Sequence, residues 1–392
     1  MKKFKKLILI FIVFKVLVLL FDYAYERKYF QIFNIDGLAT EDVQLNDLYY
    51  GIRSDNEALE KDKDVVLINS GSIKHDNAFR KNLALLIDEV AKYKPRNIGL
   101  DFYFENHEDP YFDSILNDKI HEHKAITAFD IQFKHKNIFL TDKKGFANLP
   151  VKNNETVRQY WNYSVQSNDT LRSFASVLCG YKAQDNIGYI KYCSNNKGFY
   201  NALDPKVAIN HNNFPAIEAN AILDEIDSIK LVKLLKNKIV IIGHLGTNQM
   251  DNPFDVEDKF RVPTDTFLFN RMPIMPGPVI HANAVQMMLS NEHIYALEGW
   301  PNETVTSIIL FIFLYVFYTI RLKYKLSRLI NFSIILVSTF FIILISSAYL
   351  MDIDFYFKVG GLCAQISFLE GFIDIEDELD AFFNKKSYEE KK

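Results

Sequence analysis

The stretch DVVLINSGSIKHDNAFRKNLALLIDEVAKYKPRNIGLDFYF, residues 64–104, decides the fold. It opens on a β-branched apolar run, the composition of a strand buried on both faces. Phe79, Leu83, Leu86, Ile87 and Val90 then recur at helical spacing across residues 77–94. Pro95 stands just past that helix, where it cannot disturb the hydrogen-bond ladder, and RNIGLDFYF reads as a second strand holding Asp101. Strand, helix and strand in close succession make a βαβ unit, and hence a parallel strand pair.

Outward from this unit the signals are less regular. HKAITAFDIQF (123–133) reads as a third strand, and residues 141–160 are polar and read as loop. YWNYSVQSNDTLRSFASVLC (160–179) gives an aromatic strand, a turn at Asn168-Asp169 and a second strand carrying Arg172. FPAIEANAILDEI (214–226) reads as a helix, and KNKIVIIGHLG (236–246) as a buried strand ending at His244. DNPFDVED (251–258) is a loop that begins with Asp251, and PGPVIHANAVQMML (276–289) is a turn and a helix carrying His281.

Apolar runs at both ends place this domain between membrane segments. Lys2, Lys3, Lys5 and Lys6 precede an apolar run from Leu7 to about Tyr25, close to the roughly 20 residues a spanning helix needs. No small-residue cleavage site follows, so the run reads as an uncleaved anchor rather than a signal peptide. Further runs cover 303–320, 329–350 and 355–373. Arg321, Lys323, Lys325 and Arg328 lie between the first two of these and the acidic MDID before the last. Basic flanks face the cytoplasm, so residues 26–302 are expected on the outer side and the tail 374–392 in the cytoplasm. If the fourth run does not span, the tail lies outside. The implied architecture is an α/β extracytoplasmic domain, a mixed and partly parallel sheet with flanking helices, joined to α-helical transmembrane segments. The implied setting is the inner membrane of a bacterium, crossed several times, with the bilayer itself as a partner. A composition rich in Lys, Asn, Ile, Phe and Tyr suits an AT-rich bacterial genome.

The 392 residues allow one or two domains. With 45 basic against 49 acidic side chains the net charge is −4. No basic patch with interleaved aromatics and no zinc-finger spacing is present, which removes the case for nucleic acid. No nucleophile elbow, phosphate loop or cofactor motif occurs, so no catalytic residue, metal or cofactor is assigned. Cys179 and Cys193 flank a turn and either form a disulfide or stand as separate thiols; neither has redox spacing. Lys15, midway along the first run, costs about 2.5–3.5 kcal/mol at that depth. It either snorkels or pairs inside a helix bundle with Glu370 or a backbone carbonyl. Gly360 and Ala364 share a face that permits close packing within the chain or between copies. The tail's Leu379, Phe382 and Phe383 share another, suited to a cytoplasmic partner.

The order of these segments resembles the CHASE2 family, extracytoplasmic sensor domains of bacterial membrane receptors. DVVLINSGSI with YKPRNIGLDFYFENHEDPYFDSIL is similar to the family's first strand, helix and strand. WNYSVQSNDTLRSF is similar to its turn followed by an arginine. LKNKIVIIGHLGTNQMDNPF and MPGPVIHANAVQMMLSNEHI resemble its later strand-and-loop and its histidine-bearing helix. The first strand departs from the pattern, ending in INSGS where acidic residues are usual. Family members commonly run on into a kinase or cyclase, whereas this sequence ends at Lys392, so the resemblance implies an output carried by another protein.

Asp101, Arg172, His244, Asp251 and His281 are the candidate ligand-binding or structural residues. Asp101, His244, Asp251 and His281 are expected near the carboxyl ends of parallel strands, where open α/β sheets take ligands. Three functions follow. The first is a sensor for a small ligand that acts through a partner. The second is a structural subunit of an envelope complex, binding an envelope protein or further copies of itself. The third is a metal-dependent hydrolase, which needs the Asp/His group to converge.

Overall fold

Uninterrupted apolar strands with no polar face call for cover on both sides, and the protein provides it. The computed structural model describes residues 2–26, 50, 63–73, 78–131, 138–139, 141–151, 156–166, 169–182, 185–194, 199–203, 213–224, 228–246, 258–265, 274–297, 299–324, 326–350, 353–357, 362–369 and 371–373. They fall into two units, one of residues 50–294 and one of residues 1–49 with 295–392. Helix α1, Lys2–Glu26, belongs to the second. Asp251, Gly360, Glu370 and the tail 374–392 lie outside the described residues.

The first unit is built on a seven-stranded sheet. Its strands are β1 (Val65–Asn69), β2 (Asn97–Leu100), β3 (Ile126–Phe129), β4 (Lys144–Phe146), β9 (Phe199–Asn201), β10 (Phe214–Glu218) and β11 (Ile239–Gly243). They lie in the order β4-β3-β2-β11-β1-β10-β9, and every neighbouring pair is parallel. The sheet is therefore wholly parallel, not mixed. Among the described residues the antiparallel ladders form separate two-stranded ribbons. These join β5 (Gln159–Trp161) to β8 (Ile187–Tyr189), β6 (Tyr163–Gln166) to β7 (Asp169–Arg172), and β12 (Lys259–Phe260) to β13 (Met275–Pro276).

The βαβ unit is present, with helix α2 over Phe79–Lys92, but its two strands are not neighbours. β11 lies between them, Val66 opposite Val240 on one side and Val240 opposite Ile98 on the other. All five residues of β1 and of β11 are buried. The most apolar strands take the centre, where both faces are covered, and local sequence does not reveal which strand slots in from farther along the chain.

Alternation along the strands sends side chains to two layers. Val66, Ile68, Ile98, Leu100, Val240 and Ile242 join Leu83, Leu86 and Ile87 of α2. On the same side lie Leu116 and Ile120 of α3 (Pro110–Glu122), and Leu231 and Leu235 of α6 (Ser228–Leu235). Helices α4 (Phe174–Cys179) and α7 (Gly277–Ser290) cover the other face. Gly99 lies under α4, where a Cβ would come within 2.7 Å of a Leu178 methyl and 2.8 Å of the Phe174 ring. Helix α7 is buried from Gly277 to Met288, the pattern of a helix apolar all round.

Three local expectations change. FPAIE is strand β10 and only Ala219–Leu223 (α5) is helical. Ladder pairing of Ala216 and Ile217 with Leu67 and Ile68 outweighs the helical spacing. The strand carrying Arg172 stops there; Ser173 caps α4 by accepting from Ser176 N, and Gly180, left-handed at φ 72°, closes it. Residues 141–160 hold β4, whose Gly145 allows the approach of the Phe174 backbone to within 2.5 Å of where a Cβ would stand.

The second unit contains α1, β14 (Tyr295–Leu297), α8 (Trp300–Lys323), α9 (Ser327–Leu344) and β15 (Phe355–Phe357), which pairs parallel with β14. Helices α8 and α9 are long and apolar enough to cross a membrane. Ile345–Leu350 continue α9 as a π-helical turn. The fourth apolar run is not one helix: it holds strand β15, and among the described residues 362–369 and 371–373 are helical. Leu7, Ile10 and Phe14 pack with Leu310, Leu314 and Phe317, and with Leu362, Ile366 and Leu369. Lys15 meets Glu303, in the first turn of α8, at 3.5 Å; Glu370, one of the alternatives for it, lies outside the described residues.

Candidate ligand site at the carboxyl edge of the sheet

Parallel strands all end on one edge, and the loops leaving that edge converge. β1 ends in Asn69, fully buried, and its amide ties three strand ends together. Nδ2 donates to the two carboxylate oxygens of Glu218, after β10, at 3.1 and 3.0 Å, and to Gly246 O, after β11, at 3.3 Å. Oδ1 accepts from Gly71 N at 3.0 Å and from Leu245 N at 2.9 Å. An ionised aspartate could accept here but could not donate, which accounts for an amide at this position. Burial pushes the Glu218 carboxyl above its ordinary range, against the hydrogen bonds from Asn69 and Ser72. Gly71 is required by the fit: its Cβ would stand 1.8 Å from Gly246 O.

Asp101 directly follows β2, its N–H donating to Ile242 O at 2.9 Å. It points to the face covered by α7, whose first turns bring His281 to it. Asp101 Oδ2 and His281 Nε2 are 4.0 Å apart, too long for a hydrogen bond, with 12% and 8% of the side chains exposed. Burial alone pushes Asp101 up to about 7 and His281 down to about 4. Each prefers its neutral form, so no ion pair forms. The His281 ring instead packs edge-on against Phe174 at 5.5 Å between centroids. Gly243 leaves space for this meeting, since a Cβ would fall 2.6 Å from Pro278 Cγ and 3.2 Å from Asp101 Cβ.

Outside Asp101 lies a cavity of about 700 Å³, within the range of small-molecule sites. Asp101, Phe102 and Tyr103 after β2, Phe129 and Asp130 after β3, Asn148 after β4 and His244 after β11 line it, with Asp258 beside α7. Asn148 Nδ2 donates to Asp130 Oδ1 at 3.1 Å while its Oδ1 accepts from Ile131 N at 2.7 Å, which fixes both groups. Gly277 N donates to Asp258 O at 3.0 Å, and a Cβ on Gly277 would lie 2.9 Å from Asp258 Oδ2, so this carboxylate sits at the start of α7. Three carboxyls, an imidazole and an amide around aromatic walls suit a ligand rich in hydrogen-bond donors.

The loop that carries Asp101 and Tyr103 is clamped from below. Arg80, on α2, forms a buried ion pair with Asp113, on α3, and donates to Asn106 O at 2.6 Å. Glu108 Oε1 lies 3.2 Å from Arg80 Nη2, and His107 Nδ1 contacts Asp113 Oδ2 at 2.9 Å. Burial raises the Asp113 carboxyl, but hydrogen bonds from Arg80 and His107 hold it below its usual range. The Arg80 guanidinium also lies 5.7 and 5.4 Å from the Phe104 and Phe139 rings. Neither this clamp nor the Asn69 tie was among the sequence candidates. An arginine at the apolar edge of a helix was the available signal for the clamp.

The five candidates divide. Asp101, His244 and His281 gather at the carboxyl edge, and Asp251 lies outside the described residues. Arg172 is at the opposite edge of the sheet, pairing with neither Asp101 nor Asp169. Its Nη2 donates to Ser176 O at 2.9 Å and to Tyr181 O. Cys179 and Cys193 are free thiols, with no disulfide between them. Cys179 Sγ lies 3.3 Å from Met288 Sδ, and Cys193 N donates to Asn283 Oδ1 at 2.9 Å. Among the described residues the trio within metal-ligating reach is Asp88, Glu122 and His123, away from this cavity. The Lys119 ammonium already occupies that trio, 2.8 Å from both Asp88 and Glu122.

A family model, the CHASE2 domain, matches residues 29–318, so it covers the whole sheet and continues into α8. No curated protein and no solved structure matches. The wholly parallel sheet, the His281 helix and most of the apolar α8 that follows it lie inside the match, and the chain belongs to the CHASE2 family of sensor domains.

Proposed function

We propose that this protein is a membrane-anchored signal-input protein whose α/β unit binds a small, donor-rich ligand in the cavity beside Asp101. The observation that carries this reading is the cavity itself. It opens at the carboxyl edge of a wholly parallel sheet, where five strand ends supply its walls and where such sheets take ligands. Membership in a sensor family supports the role. The apolar α8, which starts at Trp300 soon after α7 ends at Ser290, supports anchoring in the inner membrane with the α/β unit outside.

A ligand passes a signal only if it binds two states with different affinity. Asp101 and His281 lie between β2, β11 and α7, so a ligand that ionises or contacts Asp101 shifts the seat of α7. That helix leads in sequence to α8, and we assign the output to a separate protein met at the membrane.

The experiment is recovery of the intact protein from gently solubilised native membranes, followed by mass spectrometry of its companions. Copurification of a kinase, cyclase or transcriptional regulator is the expected result. Recovery with envelope-assembly components and no signalling enzyme would sink the sensor reading and favour a structural subunit.

A further inference from the structure

A second cavity, of about 570 Å³, opens at the amino edge of the same sheet, opposite the site above. Arg96 and Asn97 at the start of β2, Lys143 and Lys144 at the start of β4, and Thr170 and Arg172 of β7 contribute to its wall. Four cationic side chains face one carboxylate, Asp142. Arg96, Lys143 and Lys144 make no ion pair among the described residues. Arg172 is held in place: one nitrogen of its guanidinium binds the carbonyls of Ser176 and Tyr181, leaving the rest of the fork to the cavity. The C-terminal end of α4 would otherwise repel an anion here. Two of its last carbonyls are occupied by side chains, that of Ser176 by Arg172 and that of Leu178 by Asn97 Nδ2 at 2.7 Å.

From this geometry we infer a site for a soluble, phosphate-bearing small molecule, distinct from the cavity at the other edge, with which it shares the Phe129 wall. A lining excess of three positive charges calls for a ligand of more than one negative charge. A planar, pre-held arginine matches the oxygens of a phosphate, and flexible lysines on the opposite wall supply point charges. The volume suits a phosphate ester larger than the free ion.

The test uses the full chain in detergent, with inorganic pyrophosphate as probe and thermal unfolding as readout, at constant ionic strength. Lys143→Glu/Lys144→Glu removes the lysine wall; both side chains are exposed, so the fold is expected to survive. Lys230→Glu/Lys233→Glu, on exposed positions of α6, changes net charge equally away from the cavity. Saturating pyrophosphate is expected to raise Tm by about 5 °C in the wild type and the α6 variant, with the rise lost in the cavity variant. No rise in the wild type, an undiminished rise in the cavity variant, or equal loss in both variants would overturn the site. An equal rise with citrate would overturn the choice of phosphate. A cavity-dependent rise seen only in nanodiscs containing phosphatidic acid would replace the soluble ligand with a lipid headgroup.

Discussion

Asp101 and His281 show how burial, rather than pairing, sets the state of a site. The sign of each effect on stability follows from its shift. Asp101 is raised from 3.8 to about 7, so its contribution to folding is full below about pH 4 and is lost as pH rises to 7. His281 is lowered from 6.5 to about 4, so its contribution is full above pH 6.5 and is lost as pH falls to 4. Asp101→Asn should match the wild type near pH 4 and exceed it in stability above pH 7, by on the order of 4 kcal/mol. Unfolding midpoints across that range test this; parallel curves for the two proteins would mean that the carboxyl is not held neutral. Asn69→Asp should lose the donors that reach Glu218 and Gly246 and set two carboxyls together, at a cost of about 3 kcal/mol. A denaturant midpoint unchanged from the wild type would remove the tie from the account.

At the scale of elements, the loop after β2 owes its position to the Arg80–Asp113 pair between α2 and α3. Removing one member of a buried pair strands the other, a loss of about 3–5 kcal/mol. Asp113→Ala is therefore expected to destabilise strongly, whereas Glu108→Ala, at the exposed rim of the same group, should change stability by less than about 1 kcal/mol. Chemical denaturation of both variants distinguishes a clamp at Asp113 from general charge effects, which would make the two similar. The sequence made α2 legible because its apolar spacing is strong. It left α4 and β10 misread, because Ser173 as cap, Gly180 as stop and the β1 ladder are decided by contacts with other segments.

For the molecule as a whole, the helices of the second unit pack through named faces. Phe11 of α1 and Phe311 of α8 meet edge to face at 5.3 Å, beside the Leu7, Ile10 and Phe14 contacts with Leu310, Leu314 and Phe317. A Phe11→Cys/Phe311→Cys protein whose native cysteines are replaced by serine should be bridged in native membranes by a short bifunctional thiol reagent, read as a mobility shift on a denaturing gel. A pair of cysteines at Leu9 and Phe311 should not, since Leu9 is exposed. Equal cross-linking of both pairs would argue against this packing.

By itself the sequence determined that the protein has an α/β unit flanked by apolar helices, and it marked Asp101, His244, Asp251 and His281 as one neighbourhood, of which Asp251 lies outside the described residues. These are local or periodic properties: β-branched runs, helical spacing, apolar length and loops that end parallel strands. Only the tertiary structure decided that β11 separates β1 from β2, that the sheet is wholly parallel and that Arg172 stands at the edge away from Asp101. It also decided that Asn69 joins three strand ends and that Cys179 and Cys193 remain apart as thiols. Each of these depends on which distant segments share a layer. That choice is made by burial of apolar faces and satisfaction of buried polar atoms across the whole chain, and no short stretch carries it.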